Sequence, residues 1–132
     1  MTNVEMLLNT AGTWKVERRR STVSFSCTSM WGLLTVRGKF DEFDGEGQIA
    51  PDRTVFGNVS IAAGSLETGI GRRDRHLTSP DFFDATTYPT ITAAVQASAP
   101  TGPDTIDLDT ELTIKATTRQ LKLPANVAPL DD

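Results

Sequence analysis

Residues 65–89 read SLETGIGRRDRHLTSPDFFDATTYP, and this stretch differs from the sequence on either side of it. Glycines, a block of charge and an aromatic pair interrupt a chain that is otherwise strand-like. Ser79 and Pro80 predict the start of a helix, because Ser is a good N-cap and Pro suits the first helical position. On such a helix Phe82 and Phe83 point about 100° apart, so they can bridge a core and a neighbouring cavity. The stretch predicts a short helical cap across the mouth of a β-barrel.

Strand-like alternation dominates the rest of the chain. Apolar residues recur at alternate positions in the segments 13–17, 22–28, 34–41, 90–99 and 106–114. A period of two gives each strand one apolar and one polar face. About seven strands joined mostly by short turns indicate an antiparallel sandwich or barrel.

The pair Asp44-Gly45 allows two interpretations. It either closes a hairpin or marks a bend in one long strand that continues through Ile49. A glycine within a strand is typical of a bulge, so the second interpretation is favoured.

Length and composition narrow the class of protein. A chain of 132 residues is typical of one domain, here residues 13–132, with residues 1–12 as an N-terminal leader. The net charge of −4 argues against nucleic acid as a partner. The lone Cys27 excludes an intrachain disulfide and is typical of a small buried residue. Stable membrane insertion is not expected, since no window has the roughly 18 apolar residues of a membrane span. Without a recognisable signal peptide, a cytoplasmic location is the prediction.

The central stretch resembles the YceI-like family of bacterial polyisoprenoid-binding, lipocalin-like proteins. The resemblance rests on four segments, which are 65–69 (SLETG), 73–77 (RDRHL), 81–84 (DFFD) and 88–91 (YPTI). Outside the centre, 36–40 (VRGKF) resembles the family's long second-hairpin strand, and 112–115 (LTIK) its later hairpin. The similarity extends over nearly all of residues 13–128.

Two departures from the family pattern affect the expected fold. Arg20 stands before Ser21 where family members usually carry a histidine. The family also continues through further strands that close the barrel. The resemblance therefore implies an all-β, antiparallel lipocalin-like barrel of about seven to eight strands. This barrel is either incomplete or closed by a partner chain, and a homodimer that completes it is one expected arrangement.

The function implied by the resemblance is non-enzymatic binding, transport or storage of a lipid in the barrel lumen. The expected ligand is an isoprenoid, a quinone or a fatty acid, with no cofactor, no metal and no catalytic residue. Alternation assigns eight residues to the lumen wall, namely Phe25, Val36, Phe40, Ile61, Phe82, Phe83, Ile91 and Val95. Arg73, Asp74 and His76 complete the expected site at the cap.

The residues of the cap allow other interpretations. His76 is either a structural residue, a contact for a ligand head group, or, with Asp74, the acid–base pair of an enzyme on an apolar substrate. Arg73 and Asp74 are most simply a local anchor of the loop. The arginines at 72, 73 and 75 either bind an anion or form a solvated face. A third class of function is a structural or interaction module whose barrel is filled by its own side chains.

Overall fold

The structure, a computed structural model, describes residues 1–29, 34–97 and 99–130. Within these ranges the chain forms two α-helices and nine strands. In chain order they are α1 (Asn3–Leu8), β1 (Gly12–Lys15), β2 (Val23–Ser29), β3 (Leu34–Phe40), β4 (Phe43–Ile49), β5 (Val55–Ala62), β6 (Leu66–Glu67), α2 (Gly71–Leu77), β7 (Thr90–Ala97), β8 (Thr105–Ile114) and β9 (Thr117–Asn126).

The strands make one antiparallel meander that bends from one sheet into a second. The larger sheet has the order β1-β4-β5-β7-β8-β9, and the smaller has the order β2-β3-β6. The chain crosses from one sheet to the other at three places, where β1 leads to β2, β3 leads to β4 and β5 leads to β6. The predicted all-β, antiparallel architecture is confirmed. Among the described residues β9 pairs only with β8, so the sheet is not closed.

The long strand predicted through residue 49 is present, but its bend lies earlier than expected. Asp44 and Gly45 lie inside β4 and pair with Ser60 and Val59 of β5, so they form no hairpin. The break falls at 41–42, between β3 and β4. Here the backbone N–H of Asp41 donates to the carbonyl of Ser65, and the N–H of Glu42 donates to the Ser65 hydroxyl.

The cap is in the predicted stretch, but the predicted helix start at Ser79-Pro80 is wrong. The helix α2 lies upstream and ends at Leu77, and residues after it form turns. The Ser79 hydroxyl donates to the carbonyl of His76, which places Ser79 at the end of the helix and not at its beginning. Because the residue before a proline disfavours helical backbone, Pro80 stops the helix that the charged segment forms.

The N-terminal helix α1 is part of the fold. Its N-cap is Thr2, whose hydroxyl accepts a hydrogen bond from the N–H of Glu5. Val4 and Leu8 lie one turn apart on the same face and are fully buried. They pack in an apolar cluster with Ala97 and Ile106, near the start of β5 and the end of β7. A second and larger cluster includes Ile61 and lies at the other end of β5, beneath the cap. Apolar packing therefore fills both ends of the meander.

Trp14 of β1 packs against two glycines on the neighbouring strands β4 and β5. Gly47 pairs with Trp14 on one side and with Gly57 on the other. A Cβ atom at Gly47 would lie 2.5 Å from Cε2 of the Trp14 indole and would also clash with the carbonyl oxygen of Phe56. The glycine is required because the backbone oxygen, unlike a flexible side chain, cannot move aside cheaply.

We expect Gly47→Ala to lower the free energy of unfolding by about 1–3 kcal/mol, because any extra methyl group overpacks this site. Gly64→Ala is the matched control, since a Cβ there has Ala85 Cβ as its nearest neighbour at 3.9 Å. Urea denaturation of the two variants and the wild type measures the difference. Equal midpoints for both variants would contradict the packing described for Gly47.

Candidate functional site

The apolar cluster beneath the cap contains most of the predicted lumen wall. Val36, Phe40, Ile61 and Ile91 are buried in it. Phe25 and Phe83 are partly buried and pack against it. Strand alternation places five of the eight predicted wall residues on one interior surface, and Phe83 joins them from the turns after α2. These side chains lie in contact with one another.

Three aromatic rings occupy the space directly below the cap. The ring centroids of Phe25 and Phe40 are 5.1 Å apart, and each ring lies 5.8 Å from the ring of Phe83. Phe83 meets both neighbours edge to face, an arrangement that the aromatic quadrupole favours. The trio joins β2, β3 and the cap into one unit.

The two remaining wall residues lie elsewhere. Phe82 is 38 % exposed, and its ring stacks edge to face on His76 with centroids 4.9 Å apart. Phe83 packs in the core and Phe82 lies on the outside of the cap. Both follow α2 in turns, so the helical spacing argued from the sequence is not what separates them. Val95 is half-buried on β7 and lies opposite Gly57 and Thr110.

Arg73 and Asp74 hold the loop before α2. The Asp74 carboxylate accepts hydrogen bonds from the backbone N–H of Thr68, at 2.9 Å, and from the Thr68 hydroxyl. Arg73 donates through Nε to that hydroxyl at 2.9 Å and through Nη2 to the Thr68 carbonyl at 3.0 Å. All three residues are half-buried. This geometry is that of the loop anchor named as the simplest interpretation, and His76 lies on the exposed side of the helix away from it.

A pair of carboxylates lies at the junction of β3 and β6. A hydrogen bond with the Asp41 side chain, together with its negative charge, raises the pKa of Glu67, while Lys39 opposes the change. Lys39 forms an ion pair with Asp41 at 3.7 Å and lies opposite Glu67 in the sheet. Glu67 is fully exposed, so solvent weakens these interactions.

The raised pKa of Glu67 predicts a small pH dependence of stability. The folded state holds this proton more tightly than the unfolded state, so the contribution is complete below the unfolded pKa of Glu67. It is lost as the pH rises through the folded pKa. We expect Glu67→Gln to flatten this part of the pH–stability profile, measured by urea denaturation at a series of acidic pH values. A variant profile parallel to that of the wild type would contradict the interaction with Asp41.

Two hollows lie along strands β1, β4 and β5. One has a volume of about 660 Å³ and the other about 670 Å³. Their lining consists mainly of outward-facing polar side chains, including Lys15, Glu46 and Asn58, which line both. None of the predicted site residues lines either hollow. These hollows are therefore grooves on the polar face of the sheet, and the second is also lined by Trp14, Gly47 and Gly57.

Sequence reasoning missed Trp14 as an interior residue of interest. The alternation of Trp14 with Lys15 predicts the face of the strand on which Trp14 lies, but it does not predict what the indole contacts. The indole Nε1 is buried, and among the described residues it has no hydrogen-bond partner. Only the paired strands bring Trp14 against Gly47 and Gly57, so no local sequence signal identifies this contact.

Comparison with known proteins assigns the fold to one family. The model of the YceI-like domain matches residues 14–131. The protein YceI of Shigella flexneri is 33 % identical over 101 residues, which cover 73 % of this chain and 51 % of that protein. A UPF0312 protein of Vibrio cholerae is 28 % identical over 96 residues, covering 71 % of this chain and 51 % of the relative. The chain thus spans about half the length of these curated relatives.

Solved structures show the same architecture. The crystal structure of BcnA from Burkholderia cenocepacia superimposes with a TM-score of 0.76 at 26 % identity, covering 88 % of this chain and 73 % of BcnA. A domain from Saccharophagus degradans, described as polyisoprenoid-binding and implicated in plant cell wall breakdown, gives a TM-score of 0.57 at 20 % identity. That match covers 90 % of this chain and 64 % of the domain, and it supports the fold alone. With the family match extending from β1 to the end of the described chain, this protein belongs to the YceI-like family.

Proposed function

We propose that this protein binds an isoprenoid-type or other long-chain apolar lipid, which it carries or stores without chemical change. The observation that carries the proposal is the apolar inner face of the meander, which continues across to the edge strand β9. Leu121 and Leu123 of β9 lie opposite Thr110 and Leu108, and 38 % and 43 % of their surfaces are exposed. Exposed leucines on the concave side of a sheet are typical of a surface that receives an apolar partner.

The energetics favour a long hydrocarbon chain as that partner. Each CH₂ group that leaves water contributes about 0.8 kcal/mol. A strip of aliphatic and aromatic side chains supplies this burial without any reactive group. Two edge strands border the strip, which are β9 in the larger sheet and β2 in the smaller one, where Phe25 and Cys27 are half-buried. Membership of the YceI-like family, whose resemblance implies a lipid ligand, supports the same proposal.

The cap residues support binding more than catalysis. Asp74 directs a carboxylate oxygen to two donors of Thr68, and His76 packs on Phe82 at the surface. An acid–base pair needs a direct or water-bridged contact between its two members, which these interactions do not provide. We therefore propose that Arg73 and Asp74 set the height of the cap over the lumen, with His76 and Phe82 at its rim.

One observation favours a second candidate function. The rings of Phe25, Phe40 and Phe83 contact one another, so the space below the cap is filled by the protein itself. A structural or interaction module with a self-filled interior would show this packing. The two candidates differ in one respect, which is whether a lipid enters between β2 and β9.

We further propose that a second copy of the chain closes the sheet. When β1–β2, β3–β4 and β5–β6 are each counted as one continuous path, the meander has six antiparallel paths, of which β9 is the last. Because the number is even, β9 runs antiparallel to the β1–β2 path. The β9 edge of one copy can therefore pair with the β2 edge of another in the antiparallel sense, and the reverse pairing follows by two-fold symmetry. Arg119 and Lys122 make β9 basic, so pairing of two β9 strands places like charges together. The residues of β2 are uncharged, which favours the mixed pairing.

Native mass spectrometry of protein loaded with a prenyl lipid tests both proposals at once. We expect a dimer that carries a discrete lipid adduct. Leu123→Glu, on the inner face of β9, should abolish the adduct, whereas the adjacent Lys122→Glu, on the outer face, should retain it. Empty protein under every lipid supply would favour the self-filled module. A lipid-loaded monomer would overturn the dimer and leave the binding function standing.

The structure adds one finding to the question of location. Among the described residues, neither helix has the length or the apolar character to span a bilayer. The cytoplasmic location stays a prediction, which fractionation of cells that express the native gene would test.

A further inference from the structure

A single line of paired residues crosses the inner face of the sheet between the two apolar clusters. Its members occupy directly opposite positions on six strands, and they are Trp14, Gly47, Gly57, Val95, Thr110 and Leu121. The residue two positions before Gly57 packs in the cluster of α1, and the residue two positions after it packs in the cluster below the cap. The line therefore marks the middle of the lumen.

The indole of Trp14 lies against the glycines of this line. Cε2 and Cζ2 both lie 2.5 Å from the position that a Cβ atom of Gly47 would take, and Cζ2 also contacts the corresponding position at Gly57. The two glycines have no side chains, so the ring reaches across β4 toward β5. Contact with the backbone of these glycines restricts the orientation of the indole ring and therefore of its N–H group.

That N–H has no acceptor from the protein. Nε1 is buried, and it is the one buried side-chain nitrogen or oxygen without a partner in the part of the chain that the structure describes. Buried N–H groups in proteins are nearly always hydrogen-bonded, because an unpaired one loses its bond to water without replacement. Such a group therefore points to a partner that lies outside the chain.

The other side chains on the line do not supply this acceptor. Val95 and Leu121 carry no polar atom. The Thr110 hydroxyl donates to the carbonyl of Leu108 at 3.1 Å and does not accept from Nε1. No backbone carbonyl of the described residues accepts from Nε1 either. The acceptor therefore comes from outside the chain, either as a water molecule or as an oxygen atom of a molecule that occupies the lumen.

We propose that the Trp14 indole N–H donates a hydrogen bond to a hydroxyl or carbonyl oxygen of the bound lipid. This inference rests on the proposed function and narrows its ligand class. The ligand is then a long-chain lipid with an acceptor oxygen that reaches the middle of the lumen, and a pure hydrocarbon of the same length binds more weakly. Trp14 selects between them because only the oxygenated lipid satisfies the buried donor.

Binding of a prenyl alcohol and of the hydrocarbon with the same chain length tests the proposal. We expect the wild type to prefer the alcohol about fivefold to tenfold, which is the usual net effect of one hydrogen bond. Trp14→Phe keeps an aromatic ring on the glycines and removes the N–H, so it should bind both lipids and lose the preference. Phe56→Leu is the matched control, because it changes an exposed aromatic ring on the outer face of β5.

Nuclear magnetic resonance of the wild-type protein gives a second readout that does not depend on the folding of a variant. The indole N–H signal of Trp14, distinguished from that of Trp31 with a Trp31→Phe variant, should move downfield with the alcohol and not with the hydrocarbon. An unmoved signal, or one that shows contact with a bound water, overturns the inference. If the wild type and Trp14→Phe show the same preference, Trp14 has no such role and lipid binding stands. If the wild type binds neither lipid, the proposed function fails and the inference fails with it.

Discussion

Phe40→Ala is expected to lower the free energy of unfolding by about 3–5 kcal/mol, which is typical for removal of a buried phenyl ring. Phe40 is only 5 % exposed, and its ring contacts both Phe25 and Phe83. Its loss leaves a cavity between β3 and the cap that these neighbours cannot fill without leaving their own positions. Since small domains unfold with about 5–15 kcal/mol, this single change removes a large part of the total.

Phe82→Ala provides the matched control for this substitution. It deletes the same atoms from a residue that is 38 % exposed and that contacts His76 outside the core. We expect it to lower the free energy of unfolding by less than about 1 kcal/mol. Urea denaturation followed by circular dichroism measures both variants. If the two losses are equal, Phe40 lines an open lumen and is not packed as the structure has it.

The same experiment with added prenyl lipid connects stability with function. A ligand that binds only the folded state stabilises it by mass action. If the lipid enters the space that Phe40→Ala opens, the variant recovers a larger share of its stability on lipid addition than the wild type gains. A self-filled module would show no recovery.

Leu8→Ala is expected to lower the free energy of unfolding by about 2–5 kcal/mol. Leu8 is 1 % exposed and packs with Val4 against Ala97 and Ile106. The helix α1 holds these two side chains at the end of the meander that is opposite the cap. Loss of Leu8 therefore exposes the cluster at the start of β5 and β8 as well as weakening the helix.

Met6→Ala is the control on the same helix, because Met6 is 49 % exposed and lies on the other face. We expect it to change the free energy of unfolding by less than about 0.5 kcal/mol. Hydrogen exchange of the β7 and β8 amides gives a local readout, since only the Leu8 variant should increase exchange at Ala97 and Ile106. A Leu8→Ala protein as stable as the wild type would show that residues 1–12 behave as an independent leader.

Under the proposed function, the packing of both ends determines where a lipid would enter the interior. The cap and the aromatic trio fill one end, and α1 fills the other. The apolar inner face is exposed along β9, where Leu121 and Leu123 lie. Entry from the side, between β9 and β2, therefore needs no movement of either end. The proposed second copy would cover the same opening and so seal a bound lipid from water.

Local sequence pattern was sufficient for the strands and for the location of the cap. Alternation at 22–28, 34–41, 90–99 and 106–114 predicted strands that the structure contains, because a half-buried strand needs one apolar face. The same rule placed Phe25, Phe40 and Ile61 on an interior surface. It was less reliable in the cap, where the charged residues of α2 have little apolar periodicity and Ser79-Pro80 gave a false helix start.

Two decisions required the tertiary structure. Alternation could not distinguish Phe40, which is packed, from Phe82, which is exposed, because burial depends on which elements lie across the barrel. It also gave no reason to connect Trp14 with Gly47 and Gly57, which strand pairing alone brings together. The sequence by itself determined the all-β class, the family and the inward faces of the strands, since these depend on the order of neighbouring residues. Only the fold decided what fills the interior and which buried donor lacks a partner, since both depend on distances between residues far apart in the chain.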